Sequence, residues 1–425
     1  MALSAALLLF ASTLPACDDG GGTTIGGGCE DEPCTEPLNC GVGTYDDGVS
    51  SMCVACPADH WCAGGSAGAV PHTVCTDDDV ELSAPSASQD RVCGPPVECT
   101  DEQAERVIDS TITGVTNECC HLHVGNVTVE NGEGWPEFDE NCLVVEGDVT
   151  ITGDEADNVG LARVEGYLNL NNYNADNLKV ISSLNHVIGS MTLNGLAEIE
   201  NYKDLSGLQI ITRSLSLGHT LNVSSLEGLG GLHLLGGIDF GADLGFVNYA
   251  GLDSLSVIGD DGVAFHENTS APQNFHGLEG ITAIHGTLMI NQLANLTSFD
   301  GWSGLESVGS LTISDAGTAE DLSGFSALVS IKGGFSIQNN ARLISLKGLE
   351  NITETSGFVS VGANQLLDNL DDIQPLLYVG GGVGIRSNPL LCEAIAEDYI
   401  TNPARTIEGS ATQANNGTDP MTVCP

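Results

Sequence analysis

One short phrase recurs eleven times through residues 147–388, and a chain built this way folds into a stack. The phrase is a Gly-led turn followed by apolar, any, apolar: Val149/Ile151, Leu168/Leu170, Met191/Leu193, Leu215/Leu217, Ile238/Phe240, Val263/Phe265, Leu288/Ile290, Leu311/Ile313, Phe335/Ile337, Val359/Val361 and Val383/Ile385. Successive first positions lie 19 to 25 residues apart, most often 23 or 24. Self-similarity at a fixed period in this range is the signature of a solenoid. The period-two alternation inside the phrase predicts a short strand with one face buried and the intervening side chain outward.

A second apolar cluster follows each strand, as in Leu322, Gly324, Phe325, Leu328 and Ile331, or Phe275, Gly277, Leu278, Ile281 and Ile284. No window carries a sustained helical stripe, and Gly at several fixed points per repeat is poor helix material. Each repeat therefore reads as a coil of short strands and tight turns. One coil cannot bury its own apolar face, so stability belongs to the array. Asparagines recur just after the strand, at Asn171, Asn172, Asn194, Asn291, Asn339, Asn340, Asn364 and Asn388. Asn tolerates left-handed geometry and bonds neighbouring backbone, so these copies are expected to stack as a ladder at a corner rather than to bind a ligand.

Residues 1–16 form an apolar run of signal-peptide length ending in small residues, without the usual basic start. Its end, Leu14-Pro15-Ala16-Cys17, resembles the bacterial lipobox, in which the cysteine becomes the acylated first residue; Pro15 departs from that motif. The resemblance implies lipidation at Cys17, the alternative being ordinary cleavage. Residues 17–28, polar and Gly-rich, read as a flexible tether. Removing Cys17 from 15 cysteines leaves 14, an even number, which behind a signal sequence reads as a disulfide-bonded exterior protein. Eight of them, Cys29, Cys34, Cys40, Cys53, Cys56, Cys62, Cys75 and Cys93, crowd into residues 29–98, where apolar residues are too sparse for a core. Around Cys53-Val-Ala-Cys56-Pro-Ala-Asp-His-Trp-Cys62 this segment resembles the cysteine-rich modules of ephrin-receptor and tumour-necrosis-factor-receptor type.

Residues 99–146 precede the repeat and read as its N-terminal cap, with Cys99, Cys119, Cys120 and Cys142, and with residues 101–108 as a short helix candidate. His121 and His123 follow the adjacent cysteines, a pattern expected of disulfides and a strand rather than of a metal site. From Asn141 the chain resembles the receptor L domains of insulin-receptor and EGF-receptor type. Asn141-Cys142 leads into Val145-Glu146-Gly147 and the first strand, and Asn388-Pro389-Leu390-Leu391-Cys392 matches the closing motif of those domains. The resemblance implies a right-handed single-stranded β-helix of leucine-rich-repeat-like coils, here about eleven and so longer than in those domains, followed by a helical segment over residues 393–400. Cys392 and Cys424 are the only cysteines beyond the array and are expected to pair within a C-terminal cap, residues 389–425.

Charge constrains the partners. With 58 acidic against 11 basic residues the net charge is −47, which repels nucleic acid and anionic membrane surfaces. Acidic clusters such as Asp77-Asp78-Asp79 or Asp154, Glu155 and Asp157 lack the alternating ligands of a calcium loop, so no metal and no cofactor is expected. A β-helix polysaccharide-degrading enzyme needs carboxylates and cations converging on adjacent coils. Arg163, Arg213, Arg342 and Arg386, and His186, His219, His233, His266, His276 and His285, instead change phase from coil to coil. The reading is a mainly β, non-catalytic surface protein, exported to a bacterial outer membrane or cell surface and held there by lipid alone. It would bind an extracellular protein or glycan through the solenoid face. A passive envelope spacer and the polysaccharide-degrading enzyme are the alternatives.

Overall fold

The period-two phrases pair into one parallel ladder. In the computed structural model, which describes residues 118–137, 142–154, 157–266 and 272–417 together with short strands between residues 44 and 106, the first positions of the phrases stack in register. Val149 lies beside Leu168, then Met191, Leu215, Ile238, Val263, Leu288, Leu311, Phe335, Val359 and Val383. The ladder continues one strand beyond the phrases at each end, to Val127 and to Ala411, giving a parallel β-solenoid of about twelve turns. Both additional strands fall in segments read from sequence as caps. Each of the eleven phrase pairs is turned inward, with no residue more than 3 % exposed.

A second row of strands precedes the Gly-led turn of each coil. It runs in parallel from Glu118–Val124 through Leu143–Glu146, Leu161–Val164 and His186–Val187. In the middle of the array the two strands of a coil merge across the turn, as in Ile210–Gly218 and Ala283–Asn291. At the turn the backbones of successive coils meet. A Cβ added to Gly357 would lie 2.5 Å from the Gly333 carbonyl oxygen, and one on Gly381 would lie 2.7 Å from that of Gly357. The recurring glycine is therefore a matter of contact between coils as well as of turn geometry.

Four residues beyond most first positions the chain enters the left-handed region, at Asn131, Asn172, His219, Gln292, Asp315, Asn339, Ala363, Ser387 and Asn415. The next residue points inward. In the last coils it is Asn340, Asn364, Asn388 and Asn416, and these form a buried ladder. The Asn364 Oδ1 accepts from the Asn340 backbone N–H at 3.0 Å and from its Nδ2 at 3.2 Å, and the Asn388 and Asn416 Oδ1 atoms accept from the coil before in the same way. The expected ladder is thus real but confined to the C-terminal coils. Asn172 and Asn339 occupy the left-handed position instead. Farther toward the N-terminus the inward position holds Leu196, Leu244 and Leu293, and the middle of the core is aromatic. Phe240 stacks on Phe265 at 4.6 Å between ring centroids, and Phe265 meets Phe275 edge-on at 4.9 Å.

The return path of each coil uses the second apolar cluster: Leu322, Phe325, Leu328 and Ile331 are all buried, with a 3-10 turn at Ser323–Phe325. The one α-helix among the described residues, Glu393–Thr401, follows the last phrase as expected and buries Ala396 and Tyr399. Arg405 fixes it to the array. This buried guanidinium donates to the Leu376 carbonyl at 2.7 Å, to the Gln374 carbonyl at 3.2 Å and to the Tyr399 carbonyl, and lies 3.6 Å from the centre of the Tyr399 ring.

The chain divides into two compact units, residues 1–71 with 87–89, and residues 72–86 with 90–425. In the first, Thr44–Tyr45 pairs antiparallel with Val54–Ala55 and His60–Trp61 with Val70–Pro71. The second holds the Val80–Ser83 and Val92–Gly94 hairpin and the solenoid. Residues 101–108, expected to be helical, instead contain the strand Gln103–Arg106, antiparallel to Glu118–Val124. Pairing with an otherwise open strand overrides the local helix preference of Asp-Glu-Gln-Ala-Glu.

Candidate recognition face

The strand after the Gly-led turn buries the first and third residues of its phrase and presents the intervening one on the outer face. At this outward position the side chains are mostly hydroxyls: Thr150, Thr192, Ser216, Thr312, Ser336, Ser360 and Thr412, stacked in register with Asn169, Asp239, Ala264, Met289 and Gly384. The result is a polar sheet repeating at the strand spacing of about 4.8 Å. One groove lies on this sheet near its C-terminal end, and another lies over the preceding strand row and turn in the middle of the array.

The central groove is made by a bulge. Leu235 and Ile238 are three residues apart, but their register partners Ile258 and Val263 are five apart, so two additional residues, Asp260 and Asp261, leave the ladder. Such a bulge re-aims side chains. Asp261 reaches back over the preceding coil to Arg213, at 3.6 Å from its Nε, and accepts from the Ser214 hydroxyl at 3.3 Å. The crossed coil is Gly236-Gly237 at that point, and a Cβ on Gly237 would lie 2.6 Å from the Asp261 Cβ, so glycine makes the passage possible. His233, His285, Leu234 and Val257 complete a groove of about 400 Å³. Arg213, His233 and His285, which differ in phase along the sequence, therefore surround one space. Phase arithmetic assumes coils of equal length, and the 25-residue interval from Ile238 to Val263 was the signal of the insertion.

The C-terminal groove, about 370 Å³, is lined by Phe358, Ser360, Gly384, Arg386, Thr412 and Gln338 among others. Phe358 is 61 % exposed. The amide nitrogen of Gln338 donates to the Ser336 and Ser360 hydroxyls at 2.9 and 3.0 Å, and Arg386 donates to Thr412 Oγ1 at 3.3 Å. Phe358 and Gln338 were not singled out by sequence, because one apolar and one amide residue at outward positions look like ordinary surface.

Three further imidazoles are paired with carboxylates. His266 Nε2 lies 2.7 Å from Asp239, His219 Nδ1 3.1 Å from Asp243 and His276 Nδ1 2.7 Å from Glu279. Burial alone would raise the Glu279 pKa, but His276 and the Gly277 N–H outweigh it and hold the carboxyl below its ordinary range. Among the described residues no three His, Cys, Asp or Glu side chains gather as metal ligands do, and no helix is long and apolar enough to cross a membrane.

Cys120 and Cys142 form a disulfide between neighbouring strands, and Cys119 and Cys392 are also disulfide-bonded. The adjacent cysteines before His121 and His123 thus sit in disulfides on a strand, as expected. Cys17, Cys29, Cys34, Cys40, Cys53, Cys56, Cys62, Cys75, Cys99 and Cys424, and the Asp77-Asp78-Asp79 cluster, lie outside the described residues, and the side chain of Cys93 is likewise outside them. Comparison with family models, curated proteins and solved structures gives no match.

Proposed function

We propose that this chain is an exported surface protein, anchored through a lipid on Cys17, whose solenoid recognises an extracellular protein or glycan. The observation that supports the reading is the outer face itself: hydroxyl side chains recur at one register position in most of the turns, interrupted at Asn169, Asp239, Ala264, Met289 and Gly384, which suits a partner that is broad or itself repetitive. The likeness of the Asn141-Cys142 opening and the Leu391-Cys392 ending to receptor L domains points the same way. Net charge of −47 disfavours nucleic acid and anionic membranes as partners. The test is a screen of the full chain against immobilised polysaccharides and extracellular proteins, together with the intact mass of the mature protein from membranes. Saturable binding and an acylated Cys17 are expected. Absence of any binding would leave the solenoid a spacer.

A catalytic reading has one observation in its favour, the gathering of Asp260, Asp261, Arg213, His233 and His285 around the bulge groove. Carboxylates beside imidazoles supply the groups needed for acid–base work on a glycan. If that reading holds, the chain depolymerises a polysaccharide and Asp261→Asn abolishes the turnover; the recognition reading expects binding without turnover.

A further inference from the structure

We infer that the C-terminal groove binds an uncharged polysaccharide, with Phe358 stacking on a sugar ring and Gln338 and Arg386 bonding its hydroxyls; this rests on the recognition reading above. A lone exposed Phe is ordinary on a protein surface, but the surroundings of this one are not. Phe358 immediately precedes the strand Val359–Gly362, and the residues at the same place in the coils on either side are Gly334 and Gly382. No neighbouring side chain of that column covers the ring, which leaves it 61 % exposed. A largely exposed aromatic ring, flanked by glycine in the coil on either side and set in a polar groove, complements the apolar face of a pyranose.

The polar groups fit the rim of the same sugar. Both hydrogen bonds of the Gln338 amide nitrogen go to serine hydroxyls, which fixes the amide plane and leaves its oxygen as an acceptor without a donor among the described residues. Arg386 is exposed, is held by Thr412 and has no ion pair among the described residues, so most of its N–H groups are available. Acceptor, planar donor fork and apolar face thus lie around one space of about 370 Å³.

Charge decides between sugar classes. Although the chain carries 58 acidic residues, none lines this groove, in contrast to the bulge groove with Asp260 and Asp261. A polycation would find no carboxylate here and would meet Arg386. A polyuronate would be repelled by the −47 of the whole chain before reaching a single arginine. A neutral polyhydroxylated chain suffers neither penalty.

The experiment is affinity electrophoresis of the full chain in gels containing an uncharged polysaccharide (β-glucan, mannan or xylan) or a polyuronate (alginate or pectate). It compares wild type with Phe358→Ala, Phe358→Tyr and Arg386→Gln, each checked for an unchanged thermal transition. Retardation by a neutral polymer is expected, weakened about tenfold or more in Phe358→Ala, as loss of about 1.4 kcal/mol of stacking requires, and restored in Phe358→Tyr. Arg386→Gln, also weakened, carries the test if Phe358→Ala does not fold. Equal binding by wild type and both loss variants overturns the groove assignment while surface recognition stands. Preference for the polyuronate overturns the choice of ligand class. Binding of an extracellular protein and of no polysaccharide overturns the inference and leaves the recognition reading intact, whereas binding of nothing removes both.

Discussion

Replacing Asn364 by Ala removes the middle of the asparagine ladder, and its cost follows from what is left behind. The Asn340 backbone N–H, 3.0 Å from the Asn364 Oδ1, loses its acceptor, while the Asn340 Nδ2 keeps only the Ile313 carbonyl at 3.3 Å. The Asn364 Nδ2 also gives up its bonds to the Ile337 carbonyl at 3.0 Å and to Asn388 at 3.3 Å. Asn364 is fully buried, so water does not replace these partners. An orphaned buried donor costs about 1 to 3 kcal/mol and each of the three other lost bonds about 1 kcal/mol, which gives about 4 to 6 kcal/mol in all. Amide hydrogen exchange on the full chain measures it where it acts: opening of residues 335–417 becomes easier by that amount, while coils around residues 143–200 hardly change. Asn339→Gly is the control, one residue from Asn340, exposed and in the left-handed region at φ 58°, where glycine fits. A loss below about 1 kcal/mol for Asn364→Ala, or a loss as large for Asn339→Gly, would refute the claim that buried bonding carries the ladder.

Gly357→Ala is expected to lower stability to denaturant by about 2 to 3 kcal/mol, because the new methyl meets the Gly333 carbonyl at 2.5 Å, whereas Gly207→Ala, with nothing nearer than 3.8 Å, is expected to be neutral or better. Arg405→Met removes the guanidinium bonds that tie Glu393–Thr401 to the last coils, and limited proteolysis should then cut that segment far faster, a loss of about 3 kcal/mol locally. Burial, and then the neighbouring Glu350 and Asp371, raise the Asp372 pKa above its ordinary value of 3.8. Folding therefore favours the protonated acid, and the penalty on the charged form is absent below about pH 3.8 and grows as pH rises through the raised value. Asp372→Asn is accordingly expected to raise the melting temperature at pH 7 and to leave it unchanged at pH 3.

The strand ladder was legible residue by residue. A strand in a solenoid needs an inward pair at fixed spacing, and in all eleven phrases, from Val149/Ile151 to Val383/Ile385, that pair is buried. The C-terminal end strand was not legible, because Gln413 breaks the apolar alternation, whereas Val127/Val129, led by Gly125 and 22 residues before Val149, carries the phrase and was passed over as part of the cap. The helix expected over residues 101–108 failed for a related reason: local preference says nothing about an open strand waiting at Glu118–Val124. The grooves were the least visible. Asp261 and Arg213 are 48 positions apart and meet only because two glycines lie beneath the bulge.

What the sequence determined by itself is the repeat, and with it the parallel stack, since a coil with one apolar face per 24 or so residues has no other way to bury it. The tertiary structure decided which side chains share a space on the outside. Period is a property of the average coil, but a groove is made where one coil departs from the average: Asp260 and Asp261 pushed out of the ladder, or Phe358 standing between Gly334 and Gly382. Contacts of that kind run across the strands, between residues about 24 or 48 positions apart, and depend on backbone register that only the assembled stack supplies.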